Sequence, residues 1–411
     1  MAAIRRLLTP SYEGNIPRFF IYRILYNFML FLPVWVIYMQ DKFNLSLTEV
    51  TLNDSAFWLT MALTEVPTGV VADTWGRKQS QLIGMLIATG AILLFALAPV
   101  YSLVLLGNSL WAFGITFISG ADLAFFYDTL QVLGREHEYP RYRGQLQAYV
   151  LVSIALSSVL GGLIGEISLV STFTITAAVM LLATVLVLGL KEPPRQSDPE
   201  TGSSLNYRQI LGTTLRAIRR EPGLRYALLY SSILPLVLGT IQVTFIQPHV
   251  IAIGLPIAAL GFISLGLRLA QFGGALNAGR IIQRLGEWNW LGLAPLLIFS
   301  GVIALGVFNS MLGIVFFAVT GFASAVTTPL LERIVLRQSP AAIRATILSV
   351  DSLLNRFFLA LLGPAIGLLA DGVGLAQAFI WVGLGLGCLI LVIRFYWRRV
   401  WGTRHLPTTP A

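Results

Sequence analysis

An all-α polytopic membrane protein, with twelve transmembrane helices in two pseudo-symmetric six-helix bundles, is the fold the sequence predicts, and three observations predict it. Apolar residues make up 56% of the 411 and charged residues only 11%, where a soluble domain carries roughly 25% charged residues. The apolar residues fall in runs of about 20, long enough for a helix to cross about 30 Å of hydrocarbon. Only helices and closed barrels satisfy every backbone group at that depth. Positive charge gathers on alternate connections between the runs.

The polar start, Met1 to Pro17, has no apolar stretch followed by a small-residue cleavage site, so the first span, 19–40, is read as retained. The second and third, 50–72 and 79–99, are joined by a turn carrying Arg77 and Lys78. The fourth and fifth, 102–126 and 146–166, are joined by a connection with Arg135, Arg141 and Arg143, and the sixth is 169–190. The longest non-apolar stretch, Lys191 to Glu221, contains KEPPRQSDPETGSS. It reads as a cytoplasmic linker, 191–221, between an N-terminal bundle, 1–190, and a C-terminal bundle, 222–411. Within it Leu205, Ile210, Leu211, Leu215 and Ile218 are interspersed with Arg208, Arg216, Arg219 and Arg220, which fits either an interfacial amphipathic helix or a solvated one. Six further spans follow at 226–248, 257–280, 288–308, 311–331, 346–370 and 374–396.

With the N-terminus inside, 24 of the 28 Lys and Arg lie on the cytoplasmic side, Lys42 lies in an outer loop, and Arg23, Arg268 and Arg356 lie within spans. Short basic loops resist translocation. Both termini are therefore expected in the cytoplasm, with the protein in the inner or plasma membrane. The charge of +9 then has a topological origin, and no nucleic-acid partner is expected. Cys388, the single cysteine, provides neither an intrachain disulfide nor a thiolate metal site. His137, His249 and His405 are scattered, so no catalytic set, metal or cofactor is expected.

The halves match in short pieces. TGVVADTWG from Thr68 aligns with AGRIIQRLG from Ala278, SGAD from Ser119 with TGFA from Thr320, and GGLIG from Gly161 with GPAIG from Gly363. The offsets agree apart from loop length, as a duplicated six-helix unit requires.

The stretch GVVADTWGRK, with Gly69, Asp73, Gly76, Arg77 and Lys78, fits G-x-x-x-D-x-x-G-R-K in the cytoplasmic loop after the second span. It resembles the signature loop of the major facilitator superfamily, and the twelve spans, central linker and degenerate second copy extend the resemblance over nearly the whole chain. Glycines permit a tight turn and close helix contact, and a carboxylate is favoured near a helix N-terminus. The resemblance implies that Asp73 faces Arg344 and that Arg77 pairs with Asp128, forming a cytoplasmic gate; the plainer alternative is a topogenic loop with solvated charges. The chain departs from proton-coupled drug antiporters in lacking the R-x-x-Q-G arginine of helix four and the G-P-x-x-G-G element of helix five. EVPTG and SGADLAFFYDTL look like bacterial permeases of broad or unassigned substrate.

A charge at mid-bilayer costs at least about 2.5 kcal/mol, so ionisable residues there are functional candidates. They are Arg23, Asp54, Glu65, Asp122, Arg268, Asp351 and Arg356. Glu65 and Arg356 are expected to form an ion pair between the halves; the alternative pairs Arg356 with Asp351 and leaves Glu65 bonded to Thr64 or Thr68. Asp122 or Glu65 is a candidate proton carrier, against a static bridge from Arg23 to Asp122 or Asp128. Arg268 has no acidic partner in sequence, which leaves room for an anionic substrate group. Candidate cavity residues are Arg23, Tyr26, Asn27, Trp35, Gln242, Gln247, Arg268, Thr327 and Thr328. Pro33, Pro248 and Pro364 permit kinks.

A non-enzymatic secondary transporter of a small organic solute, working by alternating access, proton-linked and with efflux favoured over uptake, is the resulting expectation. Facilitated movement of a metabolite and a transport-inactive membrane sensor sharing the fold are the alternatives. The partners are the solute, the proton and the lipid bilayer, with a monomer favoured.

Overall fold

The computed structural model describes residues 10–194, 216–340 and 343–402. The amphipathic stretch proposed for the linker lies outside these residues up to 215, while 216–220 are helical. Every regular element among the described residues is helical. The first half holds α1 (Tyr12–Tyr26), α2 (Trp35–Phe43), α3 (Leu47–Trp75), α4 (Arg77–Leu97), α5 (Tyr101–Ser119), α6 (Asp122–Val132), α7 (Tyr139–Ile167) and α8 (Leu169–Leu188). The second holds α9 (Pro222–Leu236), a π-helical stretch Val237–Phe245, α10 (Ile246–Ala252), α11 (Ile257–Leu285), α12 (Glu287–Phe308), α13 (Met311–Gln338), α14 (Arg344–Val373) and α15 (Leu375–Gly402).

Each predicted span thus has a helical rod. Ten are long and apolar enough to cross a membrane. The other two are the first, which is broken into α1 and α2, and α3, whose Glu49, Asp54, Glu65 and Asp73 lower its hydropathy.

The chain divides into two compact units: Met1–Leu45, Leu52–Ser197 and Leu255–Leu265 in the first, and Ser46–Thr51, Asp198–Gly254 and Gly266–Ala411 in the second. The division cuts α3 and α11 near their starts rather than falling in the linker alone. Carboxylate caps are among the contacts made there. In unit 1 Glu166 accepts from Ala258 N at 2.8 Å, and in unit 2 Asp371 accepts from Leu47 N and Thr48 N at 3.0 and 2.9 Å. Both satisfy amides that a first helical turn leaves without internal acceptors.

Within unit 1, α4 packs against α5 and α8, and α8 against α1; within unit 2, α12 packs against α13 and α15, and α15 against α9. The units share one internal packing plan, as a duplicated sequence should. Small residues bring the rods together: a Cβ on Gly84 would lie 2.6 Å from the Gly114 carbonyl, the backbone-level contact by which helices associate in lipid.

Three of the spans are interrupted, which the sequence does not locate beyond the kink allowed at Pro33. In the first, Asn27 Nδ2 donates back to Arg23 O at 2.7 Å, Pro33 supplies no N–H, and residues 27–34 leave the helix. The exposed backbone finds partners, with Leu30 N bonded to Thr176 Oγ1 of α8 at 3.0 Å and Val34 N to Phe31 O at 3.0 Å. Irregular backbone at this depth persists only when buried in protein. The fourth span breaks at Gly120–Ala121, between α5 and α6. The seventh passes into π-helix two residues after Pro235.

Candidate functional site

The three interruptions each lie beside a residue singled out by its chemistry. α1 stops at Tyr26, one turn after Arg23; α6 starts at Asp122; the π stretch contains Gln242. Interrupted and π-helical segments recur at functional sites because they re-aim side chains and leave backbone groups accessible.

In unit 1 the structure brings Arg23 and Asp122 into an ion pair through Nη1 and Oδ2, with side chains 17% and 5% exposed. Asp122 Oδ1 also accepts from Leu123 N at 2.6 Å. The guanidinium lies over the Tyr26 ring, 5.6 Å from its centroid. Tyr26 and Trp35 are buried, and Trp35 Nε1 has no hydrogen-bond partner. Trp111 Nε1 on α5 is likewise without a partner, and its ring meets those of Phe31 and Phe57 at 5.3 and 5.1 Å. Trp111 was missed at the sequence level because an aromatic in an apolar run carries no signal of its own.

The loop motif is also built in unit 1. Gly76 has φ +122°, a conformation L side chains rarely adopt, and α4 begins immediately after it. Arg77 forms an ion pair with Asp128 and donates to Ala124 O at 2.8 Å, so the helix-four partner expected for it is in place. Asp73 is exposed, and Lys78 is half-buried; Gly69 has open space around it. The α4 N-terminus holds a residue the sequence had assigned only to the linker. Glu192 accepts from Arg77 N at 2.8 Å and Lys78 N at 2.7 Å. It is fixed by its neighbour Lys191, whose backbone exchanges two 2.8 Å bonds with the Asn15 amide. Glu192→Gln is expected to lower stability by about 1 kcal/mol, the value of a helix N-cap; a melting temperature equal to wild type in detergent would contradict the cap. Nearby, Arg135 bonds Glu138 at 2.7 Å, and that bond raises its pKa above the ordinary arginine value.

In unit 2, Gln271 Nε2 of α11 donates to Gln242 Oε1 of the π stretch at 2.8 Å. Arg268 lies one turn before Gln271, half-buried, with Nε sealed from solvent and without an acceptor. Other predicted cavity residues hydrogen-bond within unit 2. Thr327 is fully buried, accepts from Trp290 Nε1 at 3.0 Å and donates to Ala323 O at 2.7 Å. Gln247 is buried and donates to Val243 O at 2.8 Å. Thr328 is exposed, with its hydroxyl on Ser324 O at 3.0 Å. Asp351 accepts from Ser231 Oγ. Glu65 is exposed on α3 in unit 1 and Arg356 half-buried on α14 in unit 2; their pairing stays a proposal. Thr68 Oγ1 reaches the Glu65 carbonyl at 3.2 Å. A cleft of about 500 Å³ in unit 1, lined by Asp41, Lys42 and Glu166 among others, contains none of the predicted site residues.

Comparison with known proteins gives a consistent result. Residues 23–317 match the sequence model of the Major Facilitator Superfamily. Multidrug resistance protein 1 of Bacillus subtilis (strain 168) is 26% identical over 174 residues, which is 42% of this chain and 44% of that protein. The match therefore spans less than half of that relative. Among solved structures, a mutant of the nucleoside transporter NupG superposes with a TM-score of 0.80 over 95% of this chain and 100% of that one, at 14% identity. A bacterial homologue of the human lysosomal transporter Spinster, inward-facing and occupied, gives 0.73 over 98% and 100% at 16% identity. A D-xylose–proton symporter gives 0.68 over 94% and 97% at 13% identity. At these identities the structures share the fold.

Proposed function

We propose, from the premise that this chain belongs to the Major Facilitator Superfamily, that it moves a small organic solute across the cell membrane by alternating access, proton-linked and in the outward direction, with both termini cytoplasmic. The observation that carries the coupling is the Arg23–Asp122 ion pair. Either a guanidinium or a proton can neutralise the Asp122 carboxylate. A proton taken from water onto Asp122 removes the counter-ion of Arg23 and loosens α1 from α6; its departure restores the pair. Because α1 ends one turn after Arg23 and α6 begins at Asp122, the exchange acts where two interrupted rods can bend. The partial likeness to a multidrug resistance protein supports export of an amphipathic solute.

A thermal-shift screen of cationic, neutral and anionic aromatic solutes at two pH values, on the purified full chain, would find a ligand. In liposomes carrying a pH-sensitive dye, wild type is expected to move that ligand together with protons. Asp122→Asn is expected to bind it while losing the proton flux. Solute movement without proton flux in wild type would refute the coupling, and absence of any movement would refute transport.

A further inference from the structure

We propose that unit 2 holds a carboxylate-recognition subsite centred on Arg268, with Gln271 and Gln242 as neutral donors, so that the transported solute carries one carboxylate. The inference rests on the transport reading and adds the substrate class.

Arg268 is near the middle of α11, within a span. Among the described residues no carboxylate lies within ion-pair distance of it, and its buried Nε has no acceptor. Arg23, another intramembrane cation, has its carboxylate. A cation within a membrane span that lacks a counter-ion is costly, and an arriving anion lowers that cost. Positions 268 and 271 are neighbours on one helix face. Gly321 of α13, where a Cβ would come 3.0 Å from Gln271 Cγ, leaves room for the glutamine to lie across the helix. Gln271 uses one N–H on Gln242; its second N–H and the Gln242 amide nitrogen donate to nothing among the described residues, and the Gln242 nitrogen is not sealed in the core. A planar guanidinium beside amide donors suits the two oxygens of a carboxylate. One cation matches one negative charge, whereas a phosphate monoester carries about −1.5 to −2 at neutral pH.

Binding of 1-naphthoate, 1-naphthamide and 1-naphthyl phosphate to the purified full chain, read by calorimetry and thermal shift, tests the assignment. Naphthoate is expected to bind, and naphthamide at least about ten-fold more weakly, the loss of one charge-assisted hydrogen bond. Arg268→Gln should remove the difference between acid and amide, and Arg268→Lys should retain part of it at an unchanged melting temperature, which guards against misfolding. Equal binding of acid and amide, no effect of Arg268→Gln, no response to naphthoate, or tighter binding of the phosphate would each overturn the carboxylate assignment. Proton-linked movement of a neutral or cationic solute by the same preparation would leave transport standing without it.

Discussion

Asp122→Ala is expected to destabilise the protein by about 3–5 kcal/mol, because it leaves the Arg23 guanidinium buried without its counter-charge. With side chains 17% and 5% exposed, solvent screens this pair little. Replacing both partners by apolar residues, Arg23→Met with Asp122→Leu, should recover most of the loss, since an ion pair exchanged for well-packed hydrocarbon is often neutral. Thermal unfolding in detergent of the two singles and the double measures the coupling. An Asp122→Ala protein melting with wild type would show that the pair contributes nothing.

Gly161→Val should be the other severe change. A Cβ at this position of α7 would strike the Leu30 carbonyl and stand 3.0 Å from Pro33 Cγ, within the break of the first rod. Backbone yields less readily than the end of a side chain, so overpacking here is expected to cost about 1–3 kcal/mol or more and to draw Leu30 N away from Thr176. Gly90→Ala is the control of opposite sign. Gly90 is within α4 with nothing near its absent Cβ, and alanine in a helix is favoured over glycine by about 0.5–1 kcal/mol. Equal melting temperatures for both variants would remove the packing argument.

The twelve rods were legible in the sequence because hydrocarbon thickness sets a length that a run of apolar residues either meets or does not. The duplicated plan was legible from Gly69 and Gly279 and from Gly161 and Gly363. The interruptions were not, because hydropathy is blind to the backbone angles inside a run. Proline is a poor guide to them: Pro67, Pro295, Pro329 and Pro364 all lie in unbroken helices, while Pro33 lies in a break. In the first break the amide of Leu30 is taken up by Thr176 of α8, a tertiary contact that hydropathy does not show. The Arg77–Asp128 pair could be placed because the family resemblance implied a carboxylate at the end of helix four, and Asp128 is the one that stands there. Glu192 could not, because a carboxylate in a polar linker gives no sign of the helix start it will reach. The sequence likewise gives no sign that Thr327 accepts from Trp290.

The stretch Val237–Phe245 also bears on how this polypeptide tolerates length change. A wider coil accommodates a supernumerary amino acid, and deleting one would let the ordinary ladder close, keeping the turns on either side in register while re-aiming the side chains of the stretch itself. Such a shortened chain should still insert and melt cooperatively, yet Gln242 would no longer be presented to Gln271. One codon lost there would thus divorce assembly from solute handling.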